Sequence, residues 1–234
     1  MLTARGGNKN RVNYTFQFID VWRARDELLW GAALTVQLSA VSMVLSLLIA
    51  IFGALARTSG PKWARIAVAS YVEFIRNTPF LVQVFVIFFG LPAFGIRLDA
   101  NTGALIAMVL NGSAYTIEIV RAGIEAIGHG QVEAARALGL HRIQTFRHVV
   151  LPQALRAVFA PLGSQFILLM LNSSIVSVIS ADELTAAAQN IQSRTFRSFE
   201  VYIVTIVIYL VLSIGFSAVF ALLNRVFFPR LERR

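Results

Sequence analysis

Glu118 is the residue in this sequence whose setting most needs a chemical explanation. It lies in the apolar stretch GALIAMVLNGSAYTIEIV, residues 103–120, as its only charged member. A carboxylate among apolar neighbours is costly to keep charged, so it should face a bundle interior and find a partner. Two readings stay open. Arg121, three residues on, can pair with it on the helix surface. Alternatively, Glu118 lines a polar path together with Asn111, Ser113 and Tyr115. Asn111, Tyr115 and Glu118 follow one another by four and three residues and so share a helix face. A second polar group, Gln165, Asn172, Ser173 and Ser174, interrupts another apolar stretch. Such side chains satisfy helix backbone, reach neighbouring helices or line a path. Enzyme chemistry is poorly supplied. His129, His141 and His148, 12 and 7 residues apart, match no metal-ligand pattern and have no second cluster to complete a site. They read as surface or interface residues. There is no cysteine, which excludes disulfides and thiol chemistry, and no GxxxxGK[ST] phosphate loop occurs.

The elements that would position these groups are membrane helices. Of the 234 residues, 57% are apolar and 14% charged, against about 45–50% and about 25% in soluble domains. The charges are clustered, with long uncharged stretches between. A crossing helix needs about 20 apolar residues, and five segments qualify or nearly so: 30–56, 78–94, 103–120, 158–179 and 201–223. The second is short, and the preceding WARIAVASYVEFI can extend it as a helix starting near the surface. The expected fold is all-α and polytopic, with about five transmembrane helices.

The net charge of +9 raises nucleic acid as a partner. The arginines, however, flank apolar segments, so topology and lipid headgroups account for them and nucleic-acid binding is not expected. With the N-terminus outside, the inner side receives Arg57, Lys62, Arg65, Arg76, Arg121, Arg136, Arg142, Arg147 and Arg156, and the C-terminal arginines from Arg225 onward. The outside keeps Arg97, Arg194 and Arg197, and Arg5, Lys9, Arg11, Arg23 and Arg25 vote the other way. The balance favours N-terminus outside and C-terminus cytoplasmic. No signal peptide is expected, because the polar GGNKNRVNYTFQF follows the basic start. Residues 1–27 read as a tail, and TFQFIDVWRARDELLWG is either an interfacial helix, with Trp22 and Trp30 suited to a headgroup belt, or a polar stretch with incidental aromatics.

Residues 123–156 form the most patterned loop. Residues 133–140 favour helix, Gly139 marks a break or a close backbone contact, and Ile143, Phe146 and Val150 recur at helical spacing. Pro152 limits helix continuation before the fourth crossing. The result is two short helices about a glycine turn. They either fit a partner's groove or pack beneath their own bundle.

EAARALG at 133–139, followed by Val149 and Leu151–Pro152, resembles the signature loop of the membrane subunits of binding-protein-dependent ABC importers, with Val149 in place of the usual isoleucine. ALTVQLS at 33–39, EFIRNTPFLVQ at 73–83, GSAYTIEIVRAGI at 112–124, GQVEAARALGL at 130–140 and NSSIVSVIS at 172–180 are similar, in order, to the polar amino acid permease family.

That resemblance implies a type I ABC importer transmembrane domain over 28–227, with a coupling loop at 123–156 and a cytoplasmic tail at 228–234. It implies residence in the bacterial inner membrane. Glu133, Ala134, Ala135, Gly139, Leu151 and Pro152 would couple to an ATPase, with Gly139 at a turn where a side chain would obstruct packing. Glu73, Arg76, Thr78 and Pro79 would be gating or structural, with Glu73 and Arg76 able to pair on one helix face. ATP and magnesium would belong to a partner ATPase dimer, and this chain would bind no cofactor or metal. Further partners would be a second permease subunit, a periplasmic or lipid-anchored substrate-binding protein and membrane lipids. Asp182, Glu183 and Gln189 would lie on an external helix facing that binding protein. Import would proceed by alternating access. Many relatives carry a lysine where this chain has Leu171, and the resemblance then implies either that substrate recognition falls to a paired subunit or that the preferred side chain differs. The competing reading is an ion-coupled secondary transporter, but such folds usually hold two repeats in one chain, and no segment recurs here.

Overall fold

A computed structural model of the protein describes residues 15–228, apart from the side chain of His129. The start of the 1–27 tail and residues 229–234, with their basic residues, lie outside the described residues.

The described residues form helices joined by short turns. A short α1 (Ile19–Arg23) leads into the long α2 (Arg25–Ser59). Then come α3 (Lys62–Arg76), α4 (Phe80–Gly90) and α5 (Ala100–Glu125). The loop at 123–156 contributes α6 (His129–Ala137) and α7 (Arg142–Thr145). The chain closes with α8 (Leu151–Asn172), α9 (Leu184–Thr195) and α10 (Ser198–Phe227). Four helical stretches are long and apolar enough to cross a membrane, or five if α3 and α4 with its final turn count as one broken span.

The centre is the pairing of α2 with α5. The α2 face toward it is built of small residues: Ser39, Ser42, Ser46, Ala50 and Gly53 are all buried. Where lipid is as apolar as the side chains, helices associate through close backbone approach, which small residues permit. Ser46 Oγ donates to the Val109 carbonyl at 3.1 Å. A Cβ on Gly53 would come within 2.7 Å of Ile117. On the α5–α8 contact, a Cβ on Gly123 would stand 2.0 Å from Val158 Cγ1. The outer faces of α2 and α10 present Val44, Leu48, Ile206, Leu210 and Ile214, as lipid-facing surfaces should.

Two expectations change. The 62–94 stretch is not one extended helix, because α3 and the α4 segment meet at 107°. Pro79 has no N–H to continue α3, and it disfavours helical backbone at Thr78. The bend is held by Gln83 Nε2, which donates to the Ile75 carbonyl at 2.8 Å and to Thr78 Oγ1 at 2.9 Å. Pro152 likewise does not interrupt the helix before the fourth crossing. It lies in the first turn of α8, directly after a π-helical turn. A π-helical turn over Phe146–Val150 carries the chain from α7 directly into α8.

Candidate coupling and translocation sites

The 123–156 loop folds as two helices about a turn. Gly139 adopts φ +79°, a conformation costly for residues bearing a Cβ. Its N–H bonds the Arg136 carbonyl at 2.9 Å, and Leu140 N–H bonds Ala135 at 3.1 Å. This pattern ends helices with a left-handed glycine. Within this chain a Cβ on Gly139 meets nothing within 4 Å, so backbone conformation, not crowding, accounts for the glycine. Glu133 and Ala134 are exposed while Ala135 packs inward; Leu151 and Pro152 lie exposed at the start of α8. Leu138 and Ile143 stand 82% and 73% exposed on either side of the turn. The two described histidine side chains serve local structure. His141 caps α7, and His148 Nδ1 lies 3.1 Å from the Gln144 carbonyl. No group of three His, Cys, Asp or Glu among the described residues could hold a metal.

The shared face of α5 meets partners from three helices. Asn111 is buried and donates to Gln83 Oε1 at 3.0 Å. The Arg76 guanidinium lies 5.5 Å from the centre of the Tyr115 ring. Glu118 takes Arg57 of α2 at 3.5 Å and also pairs with Arg121, which in turn pairs with Glu125. A carboxylate at the end of a span is thereby neutralised by two guanidinium groups. Ser113 points elsewhere, to Tyr71 Oη at 2.7 Å. Glu73 and Arg76 do not find each other: Glu73 Oε2 accepts from Asn77 Nδ2 at 3.0 Å, and Arg76 turns to Tyr115. Thr78 Oγ1 donates to the Phe74 carbonyl at 2.9 Å, and Pro79 stands as the residue before α4. Gln83 was not singled out by sequence, although it is the one polar residue in the apolar run of α4.

On α8, Gln165 and Asn172 are half-buried, and no hydrogen bond among the described residues joins them to the α5 face. Ser173 and Ser174 donate back to the Met170 and Leu171 carbonyls at 2.7 and 2.8 Å. They turn α8 into the 3-10 segment Ser173–Ile179.

Near α9 the polar residues divide. Asp182 is exposed and takes Asn101 Nδ2 at 3.2 Å, and Gln189 is exposed. Glu183 is fully buried. It caps α9 by accepting from Ala186 N–H at 2.8 Å, and it accepts from Tyr209 Oη at 2.6 Å. It is a structural cap, not a solvent-facing contact. Burial pushes its carboxyl above the ordinary range, against the lowering effect of its hydrogen bonds. A carboxyl raised on folding binds its proton more tightly in the folded state. Its contribution is therefore fully favourable below the unfolded pKa and is lost as pH rises through the folded one. Glu183→Gln is expected to flatten this loss of stability above the ordinary carboxylate pKa, while Glu183→Ala costs about 1–3 kcal/mol. Thermal unfolding of the detergent-solubilised protein across pH checks both.

Residues 27–233 match the family model described as binding-protein-dependent transport system inner membrane component. The chain belongs to that family. This permease is an α-helical multi-pass protein of the inner membrane and the membrane subunit of an ATP-driven ABC importer. It is not itself the catalytic subunit. It is 37% identical over 212 residues to the glutamine transport system permease protein GlnP of Escherichia coli K12, covering 90% of this chain and 97% of that one. It is 35% identical over 223 residues to the octopine transport system permease protein OccM of Rhizobium radiobacter, covering 92% and 90%. A solved amino acid ABC transporter with histidines superposes with a TM-score of 0.85 at 39% identity, covering 91% of the permease and 99% of that chain. The methionine transporter MetNI, 19% identical with a TM-score of 0.67, shares the fold.

Proposed function

We propose that the permease imports a polar amino acid delivered by an extracytoplasmic binding protein. The exposed helix–turn–helix at 123–156 would transmit the motion of an ATPase dimer that binds ATP and magnesium. The observation that carries this reading is the Leu138–Gly139–Ile143 turn, which combines two exposed apolar side chains with a helix end fixed by hydrogen bonds. Glu133, Ala134, Ala135, Gly139, Leu151 and Pro152 form the coupling surface and its root. The relatives named for glutamine and octopine transport support an amino-acid substrate. The distribution of basic residues supports an outside N-terminus with the 123–156 loop and C-terminus in the cytoplasm. A single bundle with one such loop supplies half a pathway, so the working unit pairs this chain with an identical or homologous permease about a two-fold axis.

Asn111, Tyr115 and Glu118 form the candidate pathway face on α5, with Gln165 and Asn172 contributing from α8. Ser113, Ser173 and Ser174 support it through backbone and tyrosine bonds. Glu73, Arg76, Thr78 and Pro79 form the hinge at the α3–α4 bend. Native mass spectrometry of the complex purified through this subunit is expected to show two ATPase chains for two permease chains. A transport-competent protein without an ATPase would overturn the mechanism. Glu118→Gln is expected to lower both transport and substrate-stimulated ATP hydrolysis in proteoliposomes; unchanged values for both would leave Glu118 a purely structural partner of Arg57 and Arg121.

A further inference from the structure

Two cavities of the permease meet at Leu55, Ile124 and Phe146. The first, of about 1030 Å³, opens between the ends of α2 and α3 and the 123–156 loop. Arg57, Arg65, Arg136 and Arg142 line it, and the one acidic residue lining it among the described residues, Glu125, is already paired with Arg121. Among the described residues, Arg65, Arg136 and Arg142 enter no ion pair. The second, of about 540 Å³, is a slot between α2, α5, α8 and α10, with a carbon lining that includes Leu47, Val158, Phe159, Leu162 and Phe220.

Neither half is satisfied alone. Water in the slot finds no polar partners. Arg57 of the basin is held by Glu118, and the guanidinium groups of Arg65, Arg136 and Arg142 are left to receive an anion. We propose that the joined cavities bind one anionic phospholipid, with its phosphate among Arg57, Arg65, Arg136 and Arg142 and an acyl chain in the slot along α8 and α10. The proposal rests on the orientation given above, which sets the basin at the cytoplasmic leaflet, where anionic lipids collect and basic pockets between helices bind their headgroups. A second copy of this chain is a poorer occupant, because it would bring another +9 chain against a basin already crowded with like charge. Free phosphate would fill the basin and leave the slot empty.

The test is native mass spectrometry of the complete complex in mild detergent, with phosphatidylglycerol and phosphatidylethanolamine of matched chains. Phosphatidylglycerol is expected to be retained roughly tenfold more than phosphatidylethanolamine, and Arg65→Gln with Arg142→Gln should remove about that preference. Leu162→Trp, which fills the slot and spares every arginine, should displace the lipid as well. Equal retention of the two lipids overturns the proposal. So does displacement by inorganic phosphate with no effect of Leu162→Trp, the mark of a simple anion site. Loss of the second permease copy, instead of lipid, on introducing these variants also overturns it and makes the face a subunit interface. The sequence has no cysteine, so Ser59→Cys labelled by a membrane-impermeant maleimide reports the orientation separately. Labelling from the outer side overturns the orientation, while the lipid ratios still decide whether the site exists.

Discussion

Replacing Leu138 by aspartate is expected to abolish ATP-driven import while leaving the permease folded and inserted. Leu138 is 82% exposed beside the Gly139 turn and makes no packing contribution that its loss would remove from the bundle. Burying a leucine in a partner's groove contributes about 1.5–3 kcal/mol. An aspartate there forfeits that and must also be desolvated, so the docked state should weaken by at least about 10–100-fold. The expected result is loss of the ATPase subunit from the purified complex and loss of transport in vesicles, with an unchanged thermal transition of the membrane subunit alone. Leu138→Met keeps an apolar contact and should retain most of the activity. Retention of the ATPase at wild-type levels by the aspartate variant would mean that the loop meets its partner through another face.

The reason this residue can be singled out lies in what sequence does and does not encode about the bundle. The uncharged runs at 30–56 and 201–223 became the centres of α2 and α10, because a long apolar helix is specified locally by hydropathy and length. Gly139 was also legible. A glycine between two helix-forming segments marks a break or a close backbone contact, and the structure makes it a break, with φ +79° and no neighbour near a Cβ. Side-chain partners were less legible, because they depend on which helices become neighbours. Glu73 and Arg76 have helical spacing for a pair, yet Asn77 takes Glu73 and Tyr115 takes Arg76. Glu183 reads as a solvated acid in an external helix until Tyr209, 26 residues later, folds over it. The 107° bend was hidden for the same reason. Pro79 announces a break, but the angle depends on a side chain from the following helix reaching back to the end of the preceding one. Glu118 shows both halves of the lesson. Its need for a partner was plain, Arg121 was the local candidate, and Arg57 came from a helix 61 residues away.

These contacts also assign mechanical parts to the molecule. The Arg57–Glu118 pair ties α2 to α5 at the end of the bundle that carries the 123–156 loop. The Gly123–Val158 contact holds α5 to α8 one turn away. On the proposed mechanism, a displacement of the loop would act on α5 and α8 through the chain itself, and on α2 through the Arg57–Glu118 ion pair. The α3–α4 bend is fastened to the same α5 face farther along, at Asn111.

That fastening gives the second large effect. Gln83→Leu is expected to loosen the bend and destabilise the permease by about 3 kcal/mol. Leucine has nearly the volume of glutamine, so the loss is one of hydrogen bonding and not of packing. Gln83 Nε2 serves Ile75 O and Thr78 Oγ1, and its Oε1 receives Asn111 Nδ2. Removing it strands the buried Asn111 amide and leaves the Ile75 carbonyl only its longer bond from Thr78 Oγ1 at 3.4 Å. Asn111→Leu alone strands only Gln83 Oε1 and should cost less. The double variant Gln83→Leu with Asn111→Leu removes both ends of that bond and should be less destabilised than the sum of the singles, because no donor is then left unmet at position 111. Thermal unfolding of the four proteins in one detergent gives the cycle. Strict additivity would show that the two amides act independently and that the bend is held by Pro79 and the α3 terminus alone. A positive coupling, together with slowed transport in Gln83→Leu at temperatures where it remains folded, would identify the Gln83–Asn111 bond as the joint through which the bent α3–α4 pair follows α5.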